Sequence, residues 1–114
     1  MPYLRVETNL ELSSDKRESI LKEASAQLVD KLGKPERFVM VQVAGGADLI
    51  FGGTSDPAAY VELKSIGLPE NQTEPLSRFV CEFLQAQLNI PPDRVYVELI
   101  DIPRKYWGWN NGTF

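Results

Sequence analysis

Reactive groups are few in this chain. Its 114 residues include no histidine and one cysteine, Cys81. That excludes histidine triads, histidine metal ligands, an intrachain disulfide and a cysteine metal cluster. The bases left are carboxylates, lysines and the amino terminus. The chain opens Met1-Pro2. A small residue after the initiator permits loss of methionine, and Pro2 would then carry a secondary amine in place of an amide. An α-amino group titrates at about 7.7–8.0, and burial or a nearby cation disfavours its charged form. An amine kept neutral at pH 7 can take a proton from carbon beside a carbonyl. Read by itself, the dipeptide equally suits the plain start of an edge strand, where proline is tolerated.

Further stretches carry groups suited to the same chemistry. Lys34, in the turn Gly33-Lys34-Pro35, falls level with the start of the first strand if its unit is parallel. There it can hold a carboxylate as a point charge and depress the pKa of a Pro2 amine; it also suits a solvated lysine at a helix C-terminus. Ser65-Ile66-Gly67 offers either a backbone N–H for an anion or enolate oxygen or an ordinary turn. Tyr96 alternates with Val95 and Val97, and its hydroxyl needs a partner if buried. Trp107-Gly108-Trp109 beside Arg104-Lys105 makes either an aromatic, anion-friendly pocket or a last strand flanked by snorkelling cations. Gly45-Gly46 and Gly52-Gly53 match neither the dinucleotide nor the phosphate-loop template and read as turns.

Two strand–helix–strand units would position these groups. Tyr3, Leu4, Val6 and Thr8 spell a strand. Ser14 or Asp15 caps a helix whose Ile20, Leu21, Ala24, Leu28 and Leu32 share one face, and Gly33 ends it. Phe38–Val43 reads as a strand covered on both faces, and Leu49-Ile50-Phe51 as a small edge strand. The plan then recurs: strand Tyr60–Lys64, a helix capped by Thr73 with a Leu76, Phe79, Val80, Phe83, Leu84, Leu88 stripe, and strand Val95–Ile100. Pro35-Glu36-Arg37 precedes Pro92-Asp93-Arg94 by 57 positions, as Tyr3 precedes Tyr60. A single domain, 1–114, duplicated as roughly 1–57 and 58–114, accounts for this. With both helices on one sheet face and the strands apolar nearly throughout, the other face is expected to be covered by further copies.

At a net charge of −4 the chain lacks the phosphate-neutralising patch of a nucleic-acid binder. No run is long enough for a membrane span, and the first residues lack a signal-peptide layout. No nucleic acid, no membrane and a cytoplasmic location, with non-classical secretion left open, are the expectations.

In order, Met1-Pro2, Gly33-Lys34-Pro35, Phe51-Gly52-Gly53, Leu63-Lys64-Ser65-Ile66-Gly67, Pro92-Asp93-Arg94-Val95-Tyr96 and Gly108–Phe114 resemble the macrophage migration inhibitory factor and D-dopachrome tautomerase family, essentially end to end. The resemblance implies an α+β fold: two pseudo-symmetric β-α-β units form a mixed four-stranded sheet, with two helices on one face and short extra strands for intersubunit pairing. It implies a homotrimer with active sites at subunit boundaries and cofactor-free, metal-free keto–enol tautomerisation of small aromatic α-keto acids such as phenylpyruvate, or of dopachrome-like compounds. By the same resemblance Pro2 is the base, Lys34 grips the substrate anion, and Ile66, after Ser65, gives a backbone contact. Tyr96 comes from a neighbouring subunit, and Trp109 and Phe114 line the pocket. Departures are Glu98 in place of an asparagine, Trp107 in place of a valine at the rim, and Phe38 in place of a tyrosine. Ala58-Ala59-Tyr60-Val61 replaces a Cys-x-x-Cys pair, so thiol–disulfide exchange lacks its thiols. A receptor-binding, cytokine-like role with a weak or vestigial pocket is the alternative the resemblance leaves open.

Overall fold

The computed structural model describes residues 1–114. Strand β1 (Tyr3–Thr8) leads to helix α1 (Ser14–Leu32) and returns as β2 (Met40–Ala44); β3 (Ala59–Ser65), α2 (Thr73–Leu88) and β4 (Val95–Asp101) repeat that order. A hairpin of β5 (Gly108–Trp109) and β6 (Gly112–Thr113) closes the chain. The sheet runs β2-β1-β3-β4. Each unit pairs its own two strands in parallel, and the two units meet through antiparallel β1 and β3. This is the mixed four-stranded sheet with two helices that the sequence predicts.

Strict alternation in the central strands sorts core from open face. Leu4 and Val6 of β1 and Ala59, Val61 and Leu63 of β3 are buried with Ile20, Ala24 and Leu28 of α1. Leu76, Phe79, Val80, Phe83 and Leu84 of α2 complete the same core. The two units are also tied through polar groups. Buried Thr8 donates its hydroxyl to the Ala58 carbonyl at 2.7 Å, and the Asn9 side chain accepts from Ala58 N–H at 3.0 Å. A buried hydroxyl with no partner would carry a desolvation cost of about 1–3 kcal/mol, so these bonds fix where the second unit begins.

Several expectations need correction. Helix α1 is capped by Ser13, whose side chain accepts from Lys16 N–H, one residue ahead of the expected cap. Gly33 does end it, in the left-handed region at φ 65°. Thr73 is already helical and donates to the Glu70 carbonyl, because a short 3-10 turn at Glu70–Gln72 starts the helix in place of a side-chain cap. Strand β2 begins at Met40, since Glu36–Phe38 forms a 3-10 turn. Leu49–Phe51 forms no strand; Phe51 and Thr54 make one isolated bridge.

The open sheet face is not apolar. It carries Tyr3, Arg5 and Glu7 from β1, Tyr60, Glu62 and Lys64 from β3, Tyr96, Glu98 and Ile100 from β4, and Met40, Gln42 and Ala44 from β2. Arg5 lies 3.8 Å from Glu62 and 3.2 Å from Glu7. The apolar runs in β2 and β4 are mostly inward residues (Val41, Val43, Val95, Val97, Leu99) packed on or beside the core. Coverage by other copies therefore does not follow from an apolar sheet face.

Candidate active site

A pocket of about 570 Å³ opens at the start of β1. The Pro2 carbonyl accepts from Met40 N–H at 3.0 Å, so the first residue before the strand is already held by β2. The Pro2 ring is fully buried, and Met1 and Pro2 both belong to the pocket wall. Beyond the Tyr3–Lys64 pair of the antiparallel ladder, Ser65 is the next residue along β3 toward the Pro2 end.

An aromatic wall faces this terminus. Phe38 meets Trp109 edge-on at 5.4 Å and Phe114 edge-on at 5.6 Å, while Trp109 and Phe114 stack at 5.4 Å. The Phe114 N–H donates to the Trp107 carbonyl at 3.2 Å, which folds the last residue back onto the hairpin. Trp107 is half-buried in the wall; Tyr106 and Trp109 are 83% and 55% exposed at its mouth. Phe38 thus keeps an aromatic role without a hydroxyl.

Charged side chains in the pocket wall are all basic. Burial, and then the Lys34 ammonium, lower the pKa of the Met1 amine below its ordinary value. Lys34 is half-buried and lies outside the pocket wall itself, so it acts there through its field. The charged side chains in the wall are Arg37 and Lys64, with no aspartate or glutamate among them. Neither was singled out from the sequence. Arg37 sits in the same turn as Lys34, and Lys64 ends the strand facing Tyr3; only the register brings them to one cavity. Arg104 and Lys105, the cations suggested beside the tryptophans, are not part of the wall.

The other expected residues separate into two groups. Ser65 and Ile66 are buried, and the Ser65 carbonyl accepts from Ile102 N–H at 2.9 Å. Asp101 holds the following loop by accepting from Leu68 N–H at 3.0 Å. Both lie beside the pocket but not in its wall. Tyr96 and Glu98 lie elsewhere, on the open face of β4. Tyr96 is 64% exposed and packs on Phe51 at 4.6 Å, in a separate apolar depression with Leu49, Ile50 and Tyr60. The Tyr60 hydroxyl donates to the Glu98 carboxylate, and that bond, more than burial, pushes the Tyr60 phenol up to about 12. Within one chain, then, Pro2, Trp107, Trp109 and Phe114 come together with Lys34 close by, while Tyr96 and Glu98 do not join them.

No three histidine, cysteine, aspartate or glutamate side chains stand close enough to hold a metal ion. No helix is long and apolar enough to cross a membrane.

Comparison with known proteins is consistent along the whole chain. Residues 1–114 match the family model described as macrophage migration inhibitory factor. The Rattus norvegicus macrophage migration inhibitory factor is 38% identical over 115 residues, covering 100% of this chain and 99% of the relative. A Brugia malayi homologue is 36% identical over 119 residues, with the same coverage. The crystal structure of a homologue from Prochlorococcus marinus superposes with a TM-score of 0.93 at 38% identity, covering 98% of each chain.

Proposed function

The chain belongs to the macrophage migration inhibitory factor family, and from that premise we propose that it is a cofactor-free keto–enol tautomerase acting on phenylpyruvate-type α-keto acids or dopachrome-like compounds. Loss of Met1 turns the Pro2 nitrogen from an amide into a secondary amine inside the pocket. Burial and Lys34, the two causes that already depress the amine at this terminus, then keep it neutral. The amine takes a proton from the carbon between the ring and the keto group. The C–H electron pair becomes the C=C bond, the carbonyl π pair moves to oxygen, and the proton carried on the Pro2 amine passes to that oxygen, which gives the enol and restores the neutral base; reversal restores the ketone. The Lys34 charge draws the substrate carboxylate to this end of the pocket. The Ile66 backbone steadies the developing oxyanion, and the stacked Trp109 and Phe114 with Phe38 bracket the ring.

The observation that carries this reading is the buried Pro2 on a pocket wall that has two basic side chains and no aspartate or glutamate. Tyr96 completes the site only if supplied by another copy, which fits the homotrimer expected of the family. Glu98, the departure that threatened to repel an acidic substrate, is engaged by Tyr60 instead. Phenylpyruvate tautomerisation by Pro2→Gly should drop by roughly 10²–10⁴-fold, the range of a lost general base, with the oligomer intact by sedimentation. Full activity in that variant removes Pro2 from the mechanism, and an intact mass of native protein that still includes Met1 does the same.

A second reading is favoured by the exposed Tyr106 and Trp109 at the pocket mouth, which suit a protein partner: receptor binding of the cytokine kind. Binding that persists in Pro2→Gly, with no wild-type turnover of any keto acid, would select it.

A further inference from the structure

The pocket carries basic side chains on two different walls. Lys64 is on the strand wall, paired with Tyr3 in the ladder next to Pro2. Its carboxylate neighbour, Glu62, stands 3.9 Å away and is shared with Arg5 at 3.8 Å. Lys34 acts at that same end through the terminal amine. Arg37 is on the aromatic wall. Its guanidinium lies 4.7 Å from the Phe38 ring centroid, and Phe38 is wedged edge-on against both Trp109 and Phe114. No carboxylate stands within ion-pair distance of Arg37, and no aspartate or glutamate side chain lines the pocket.

A guanidinium resting on an aromatic face keeps its N–H fork free for an acceptor, and that fork matches a carboxylate bidentately. The end with Pro2, Lys34 and Lys64 already accommodates the carboxylate beside the keto group. A ring bracketed by Phe38, Trp109 and Phe114 then projects its far edge toward the wall that Arg37 occupies. We propose that Arg37 is a specificity residue, and that the preferred substrates are aromatic α-keto acids bearing a second acidic group on the ring. This rests on the tautomerase reading and leaves its chemistry unchanged, since the same C–H proton moves to the same oxygen. Arg37 binds the distant group and takes no part in proton transfer. Being solvent-exposed, it contributes less than a buried pair would.

The test compares phenylpyruvate with (4-carboxyphenyl)pyruvate in the wild type, Arg37→Gln and Arg37→Lys. The wild type should favour the diacid in kcat/KM by about tenfold, equivalent to about 1.4 kcal/mol, with the gain in KM. Arg37→Gln should abolish that ratio, and Arg37→Lys should retain part of it. A wild-type ratio near one, or an unchanged ratio in Arg37→Gln, overturns the assignment. Tryptophan fluorescence titrated with phenylacetate and (4-carboxyphenyl)acetate reads the same preference without turnover. Turnover of phenylpyruvate with no diacid preference rejects this inference alone. A diacid preference in binding with no turnover of either keto acid rejects the tautomerase reading and leaves the role of Arg37 standing; neither preference nor turnover rejects both.

Discussion

At the Met1 amine two effects act in the same direction, and both would bear on a Pro2 amine exposed in its place. Burial disfavours the ammonium form, and the Lys34 charge adds to it. The active form of a general base is the neutral one, so kcat/KM should be flat above its pKa and fall as pH drops through it. Lys34→Ala removes one of the two causes. The pKa then rises, and the acid limb of the profile should move to higher pH while staying below the ordinary amine value, because burial persists. A limb that moves to lower pH, or does not move, would show that Lys34 is not felt at the base. Glu98 and Tyr60 supply a second titration with the opposite sign. Their hydrogen bond holds the phenol protonated, so its stabilisation is complete below about pH 10 and is lost as pH rises through about 12. Ultraviolet titration of Glu98→Gln should return the Tyr60 midpoint toward 10. The family resemblance added Phe114, and residue type and position made Pro2, Lys34 and Trp109 visible in the sequence. Arg37 and Lys64 were not, because an exposed arginine and a strand-end lysine have no local mark of function; their shared cavity is made by pairing across the sheet.

Among the elements, helix periodicity and the glycine stop at Gly33 were legible from spacing, since both follow from local backbone geometry. The caps were less so. Ser13, Ser14 and Asp15 are all competent acceptors, and only the path of the chain leaving β1 selects Ser13. Burial then sets what each element contributes. Leu28 is fully buried between α1 and the sheet, and Leu28→Ala should cost about 2–5 kcal/mol in denaturant unfolding. The segment between β2 and β3 is held chiefly by one side chain from farther along the chain. Arg94 donates to the carbonyls of Phe51, Thr54, Asp56 and Pro57, and its guanidinium lies 5.0 Å from the Phe51 ring centroid. Arg94→Ala should cost about 2 kcal/mol and speed amide exchange over residues 51–57. Unchanged exchange there would mean the segment is held by Asn9 alone, which donates to the Ser55 and Asp56 carbonyls.

Across the whole molecule, the apolar surface left outside the core is concentrated at two places. One is the pocket mouth with Tyr106 and Trp109; the other is the depression formed by Leu49, Ile50, Phe51 and Tyr96. If the second seats against the first of a neighbouring copy, Tyr96 enters the active site and both patches leave water. Ile50, 71% exposed, is then an interface residue. Ile50→Glu should shift sedimentation toward the monomer and lower tautomerase activity together. Retention of a full-sized oligomer would exclude this contact.

Composition, spacing and residue order were enough to establish the two strand–helix–strand units, their helix stripes, the family and the residue types available for chemistry. These are properties of the local chain: side chains repeat every 3.6 or 2 residues whatever lies opposite. Register and facing are not local. The antiparallel join of β1 to β3 determines that Lys64 stands by Pro2 and that charged side chains cover the open sheet face. The turn before β2 determines that Arg37 lies on the aromatic wall. Which side chains share a cavity depends on contacts between residues far apart in sequence, and only the tertiary structure decides those.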